Sequence, residues 1–163
     1  MKKKLSLLIS ILLVVVRVFL GVPDAPEADI PTEPAAVLTP DAAEQIDIDG
    51  SYTSAEDVAL YLYTYGCLPA NFMTKSEARE LGWEGGGLED IAPGMCIGGD
   101  RFGNYEGLLP DAPGRTWTEC DIDTLGASSR GAKRIVFSND GLIYVTHDHY
   151  ESFKLLYSHF YGE

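Results

Sequence analysis

The feature that most limits what this chain can fold into is a change of hydrophobic period at Cys96. Before it, apolar residues recur every three or four positions: Val58, Tyr61, Leu62 and Tyr65 form one stripe, and Ala78 and Leu81 a shorter one. From Cys96 onward they recur every second position, in short runs separated by Gly, Asp, Asn and Ser. Helices first and antiparallel strands after is the α+β arrangement. The expectation is two or three N-terminal helices on one face of a four- to five-stranded antiparallel sheet, with the other face left for a ligand.

The boundaries follow from local signals. Ser54-Ala-Glu-Asp57 reads as a capping box in which Ser54 and Asp57 serve each other's backbone donors, and Gly66 is a natural stop. Thr74-Lys75-Ser76-Glu77 is a second box, with Gly82 ending that helix. The stretch around 85–94 reads as a loop with one short helical turn. Strands are expected near 96–100, 115–122, 134–138, 142–146 and 153–157, with Asn139-Asp140-Gly141 as a hairpin turn.

Ahead of the domain, three lysines at 2–4 precede an almost wholly apolar run from Leu5 to Val16. This is the pattern of a secretory signal, and Arg17 cuts the run short of the ~20 apolar residues that a spanning helix needs. Residues 1–22 are therefore expected to be a signal peptide, or alternatively an N-terminal membrane anchor. Residues 23–49, rich in Pro, Ala, Asp and Glu, read as an acidic linker or pro-segment with too little apolar surface to offset its ordering entropy. Residues 50–163 form the domain. Its eight basic and seventeen acidic residues argue against unspecific binding to a nucleic-acid backbone, so chemistry on RNA must rest on a local cationic pocket. Three cysteines, Cys67, Cys96 and Cys120, fit no zinc motif; one disulfide, with Cys96 facing Cys120, or three buried thiols are both open.

Residues 115–134 hold the densest chemistry. Glu119 sits within a strand pattern, a Gly/Ser-rich turn follows, and Arg130 and Arg134 stand four apart where the next strand begins; His149 comes fifteen residues on. A carboxylate, two permanent cations and a histidine suit phosphoryl transfer to an internal hydroxyl, with no metal or other cofactor. The carboxylate takes the proton, the imidazolium returns one, and the guanidiniums offset the charge that develops on phosphorus.

The chain resembles the barnase-like family, the secreted guanyl-preferring ribonucleases of bacteria, from about Ser54 to Leu156. The resemblance rests on Leu68-Pro-Ala-Asn-Phe-Met-Thr-Lys-Ser-Glu-Ala78, Leu81-Gly-Trp83, Ile91-Ala-Pro-Gly94, Ile97-Gly-Gly-Asp100, Glu106-Gly-Leu-Leu-Pro110, Gly114-Arg-Thr-Trp117 and Asp148-His-Tyr150. It implies Glu119 as general base, His149 as general acid, and Arg130, Arg134 and Lys75 as phosphate-binding cations. It also implies Tyr150 packing against substrate, Gly103, Asn104, Tyr105 and Glu106 in a guanine-reading loop, and Asp100 as an acid beside the cations. His147 and His159 match no catalytic position and read as surface residues.

The chain departs from the pattern in three places. The loop between Glu119 and Arg130 is one residue longer than in the family's namesake. Gly131-Ala-Lys133 lacks the acid found there. Tyr105 stands where the namesake has an arginine. Asn104-Tyr105-Glu106-Gly107 is similar to the guanine loop of fungal guanyl-specific ribonucleases, in which the tyrosine stacks on the base.

The resemblance thus implies an extracellular, monomeric endoribonuclease that cuts single-stranded RNA on the 3′ side of guanosine through a 2′,3′-cyclic phosphate. It also implies a barstar-like protein inhibitor, whose acidic face would meet a domain that is itself acidic. Two other readings stand beside it: a non-catalytic RNA- or inhibitor-binding module on the same scaffold, and a toxin ribonuclease used against competitors.

Overall fold

The computed structural model describes residues 46–158. The segments read as a leader and as most of the acidic linker, and His159, lie outside the described residues. Among the described residues no helix is long and apolar enough to cross a membrane.

Two helices precede most of the sheet. Helix α1, Ala55–Tyr65, starts at Ser54, whose hydroxyl accepts from the Asp57 N–H, and stops at Gly66 in the left-handed region (φ 69°). The capping box is only half formed. The Asp57 carboxylate takes the Ser54 hydroxyl at 2.8 Å rather than its backbone N–H, because an aspartate is one methylene shorter than the glutamate the box prefers. Helix α2, Lys75–Glu80, has the full box, with the Glu77 carboxylate accepting from the Thr74 N–H at 2.8 Å.

Six strands form one sheet in chain order: β1 Phe72–Met73, β2 Cys96–Phe102, β3 Trp117–Asp121, β4 Arg134–Ser138, β5 Leu142–Thr146 and β6 Lys154–Ser158. Five are antiparallel neighbours, as the period-two pattern leads one to expect. The sixth, β1, pairs in parallel with β2 over two residues, and a two-residue pairing has no periodicity to reveal it. The β4–β5 hairpin turns through residues 139–141, with Gly141 at φ 93°. Arg115 clamps that turn, its Nε and Nη2 donating to Asp140 at 2.6–2.9 Å while Nη1 donates to the Pro110 carbonyl at 2.8 Å.

Alternation sends the strand residues to two faces. Cys120, Ile135, Ile143, Val145 and Tyr157 pack with Val58, Ala59 and Leu62 of α1 into the main core. The second helix does not extend this layer. It sits at the β1–β2 end, where Ala78, Trp83, Leu88 and Ile97 form a separate cluster. Trp117 and Val136, on the opposite face, pack under Leu109, Phe102, Tyr144, Tyr150 and Phe153. All three cysteines are free thiols; Cys96 and Cys120 are buried and Cys67 is exposed. Residues 46–48 are tied to α1, for Tyr65 and Tyr61 donate their hydroxyls to the carbonyls of Ile46 (2.6 Å) and Ile48 (2.9 Å).

Candidate active site

The face of the sheet not covered by α1 carries a cleft of about 660 Å³. It is lined by Lys75, Arg101, Phe102, Gly103, Asn104, Tyr105, Glu106, Leu108, Glu119, Arg130, Arg134, His149, Tyr150 and Glu151. Ten of the eleven residues singled out from sequence line it; Asp100 does not. On β3, period-two alternation points Trp117, Glu119 and Asp121 to this face, and Arg134 opposes Asp121 across the β3–β4 ladder.

A β-bulge brings α2 to the carboxylate at 119. Gly98 pairs with Cys120 but Asp100 pairs with Glu119, so two β2 residues advance against one on β3, with Gly99 at φ 97°. Asp100 then caps α2, its carboxylate accepting from the Lys75 backbone N–H at 2.9 Å. The Lys75 ammonium meanwhile bonds Glu119 Oε1. Asp100 therefore acts on the lysine's position, and Lys75 meets a carboxylate here.

Glu119 is buried, and its other oxygen accepts from the Tyr150 hydroxyl at 2.5 Å. Burial alone would raise its carboxyl, but the bonds from Lys75 and Tyr150 and the charges of Lys75 and Arg130 outweigh that. The group is held below the ordinary carboxylate range. Burial and the adjacent Glu119 push the Tyr150 phenol the other way, well above its usual value.

The two guanidiniums are anchored by a different acid. Arg130 donates through Nε (2.6 Å) and Nη2 (2.7 Å) to the two oxygens of Asp121. Arg134 places Nε 2.7 Å from Asp121 and donates to the carbonyls of Arg130, Lys133 and Gly131 at 2.6–3.2 Å. Sequence reading put Glu119 with the two arginines and passed over Asp121. The register decides the matter, because it pairs Glu119 with Val136 and Asp121 with Arg134. The signal was present in the strand as a second acid two residues on. Asp121 is only 1 % exposed, so this is a buried charge cluster in which each member needs the others.

His149 and Tyr150 sit on a tight turn after β5, at φ 59° and 74°. Asp148 organises it by accepting from the Thr146 hydroxyl (2.8 Å), the Ser152 N–H (3.0 Å) and the Ser152 hydroxyl (2.5 Å). Those bonds lower the Asp148 carboxyl to about 2, so it is ionised throughout the working range. The His149 N–H donates to the Ala132 carbonyl at 3.2 Å, tying this turn to the loop that carries the arginines. Its imidazole is exposed, while the Tyr150 ring stacks on Phe102 at 5.2 Å. His147, also exposed, does not line the cleft.

The loop at 103–108 forms the rim. The Asn104 side chain is spent on its own loop, donating to Leu109 O (2.9 Å) and Asp111 (3.2 Å) and accepting from Leu109 N–H (3.0 Å). Among the described residues the exposed Glu106 carboxylate makes no hydrogen bond or ion pair, and Tyr105 is 94 % exposed. The Tyr105 ring lies over Gly103, where an added Cβ would come within 2.2 Å of it. Among the described residues no three His, Cys, Asp or Glu side chains gather as metal ligands would.

The sequence that carries these residues is similar to known proteins. The profile of the ribonuclease family matches residues 55–157. A ribonuclease of Heyndrickxia coagulans is 52% identical over 100 residues, covering 60% of this chain and 91% of that protein. A ribonuclease of Bacillus intermedius shares the same identity, with 61% of its length covered. The guanyl-specific ribonuclease St of Saccharopolyspora erythraea is 42% identical over 57 residues, 35% of this chain and 56% of that protein.

Proposed function

The chain belongs to the ribonuclease family, and from that premise we propose that it cleaves single-stranded RNA on the 3′ side of guanosine by metal-free transphosphorylation. Glu119 takes the 2′-hydroxyl proton as that oxygen attacks phosphorus. His149 protonates the departing 5′-oxygen. Each such group typically contributes ~10²–10⁴-fold. Arg130, Arg134 and the Lys75 ammonium face the negative charge that grows on the phosphorane, in a cleft where fixed dipoles and charges act more strongly than in water. The 2′,3′-cyclic phosphate is then hydrolysed with Glu119 and His149 exchanging roles.

The observation that carries this reading is the state of Glu119. It is a buried carboxylate kept ionised by Lys75 and Tyr150, in one cleft with His149 and with the guanidiniums that Asp121 holds. The guanine preference rests on the rim. The exposed Glu106 carboxylate, without a bond among the described residues, suits the paired ring N–H and amino donors of guanine, and the exposed Tyr105 ring suits stacking on the base, an interaction of ~1–3 kcal/mol. The basic and apolar residues at 2–16 support export.

The test is a guanylyl-(3′,5′)-cytidine assay on the purified protein, following the cyclic phosphate by ³¹P NMR. Product should form with wild type, and its rate should fall ~10²–10⁴-fold in both Glu119→Gln and His149→Ala. Intact RNA with wild type, or unchanged turnover in either variant, overturns the assignment. Because the domain is acidic, kcat/KM at low ionic strength should rise with added salt as repulsion is screened, then level off.

A further inference from the structure

The loop that carries Arg130 is held from behind by a segment to which the chemistry above assigns nothing. Trp83 is buried, and its indole N–H donates to the Gly86 carbonyl at 3.2 Å, which fixes the ring plane. The central guanidinium carbon of Arg130 lies 5.8 Å from the ring centre, and that of Arg79 lies at the same distance. Both are within the range in which an indole face attracts a guanidinium. Further along, Gly87 N–H donates to the Ser128 carbonyl at 3.0 Å, and a Cβ on Gly87 would come to 1.9 Å from the Ala127 carbonyl oxygen. Gly87 is not in the left-handed region, so the glycine is there for room: the two loops meet backbone to backbone. Trp83 itself does not line the cleft.

A fork-to-carboxylate pair fixes a guanidinium in its own plane but leaves a hinge about the line of its two bonds. Arg130 spends Nε and Nη2 on Asp121. A ring against its face removes the hinge, leaving the remaining N–H edge aimed in one direction. We propose that Trp83, with the loop at 86–87 docked on 127–128, is a positioning residue that fixes the Arg130 guanidinium for the scissile phosphate. The proposal rests on the phosphodiester reading above.

The test uses the full chain and the variants Trp83→Leu and Trp83→Phe, assayed well below their unfolding temperatures. In Trp83→Leu, kcat should fall roughly 10- to 100-fold, the scale of a small misplacement of a catalytic group. Affinity for guanosine 3′-monophosphate should fall while affinity for guanosine stays unchanged. Trp83→Phe, which keeps an aromatic face, should recover most of the loss. In an Arg130→Ala background, Trp83→Leu should cost nothing more, since the cycle isolates the coupling. With Trp117→Phe leaving Trp83 the single tryptophan, its emission should respond to guanosine 3′-monophosphate and not to guanosine. Wild-type kcat in Trp83→Leu, equal loss of both ligands, or full additivity with Arg130→Ala overturns the proposal. If Trp83→Leu does not fold, the Trp117→Phe emission decides. Wild type that binds the nucleotide but leaves RNA uncut overturns the function above and leaves this positioning measurable.

Discussion

The two faces of this sheet are made by alternate residues of the same strands, and they are stabilised differently. Under α1, Cys120, Ile135, Ile143 and Val145 are buried among apolar neighbours. On the cleft side of the same strands stand Glu119, Asp121 and Arg134. Each face has a cavity. The one on the α1 side, about 320 Å³ between Leu62, Phe137 and Ile143, has no charged residue among the described residues that line it. The difference teaches that apolar burial decides stability on one side, while on the other, beside the apolar cluster of Leu109, Trp117 and Val136, charges offset one another and no member can be removed alone.

The largest contrast comes from Glu119→Gln against Ile135→Ala. Glu119→Gln should lower kcat by ~10²–10⁴, with Ile135→Ala costing ~2–5 kcal/mol of stability and leaving kcat per folded molecule unchanged. Urea melts and active-site-normalised rates would separate the two, and a matching loss of kcat in Ile135→Ala would break the comparison. Asp121→Asn should combine both signatures, because it leaves two guanidiniums without their acid. The expected cost is ~3–5 kcal/mol together with a fall in kcat, and a variant that kept wild-type stability would show that the carbonyls around Arg134 suffice.

The pH response sharpens the same point. Glu119 has a folded-state value below its unfolded ~4.3, so its contribution to stability is complete above that value and is lost as pH falls through the lower, folded one. In Lys75→Met, burial should win, the Glu119 carboxyl should rise, and the acid limb of kcat/KM should move to higher pH; a limb that stays put would separate Lys75 from the base. The smallest effect should be at the rim. Gly103→Ala should displace the flexible Tyr105 ring at ~0.5 kcal/mol or less in stability, while changing the ratio of guanosine to adenosine dinucleotide cleavage. An unchanged ratio would mean that the seat of Tyr105 on Gly103 plays no part in base choice.

Much of this was legible in the chain. Ser54, Gly66, Thr74 and Glu77 act through bonds spanning three or four residues, so α1 and α2 could be read directly. The antiparallel strands announced themselves by alternation. Asp121 was missed because its importance depends on register, and one rung decides which acid meets the arginines. Trp83 read only as part of Leu81-Gly-Trp83, one of the segments that carry the resemblance, since its contact with Arg130 joins positions 47 apart. The pairing of β1 and the free state of Cys96 and Cys120 were likewise invisible locally.

By itself, then, the sequence determined the two helices, the five antiparallel strands and their order, because periodicity and capping are short-range. Tertiary structure decided that Lys75 and Tyr150 both meet Glu119, that Asp121 rather than Glu119 anchors the guanidiniums, and which surface stands behind Arg130. Those choices come from ladder register, one bulge at Gly99 and loop-on-loop contact, all set by packing between segments far apart in the chain.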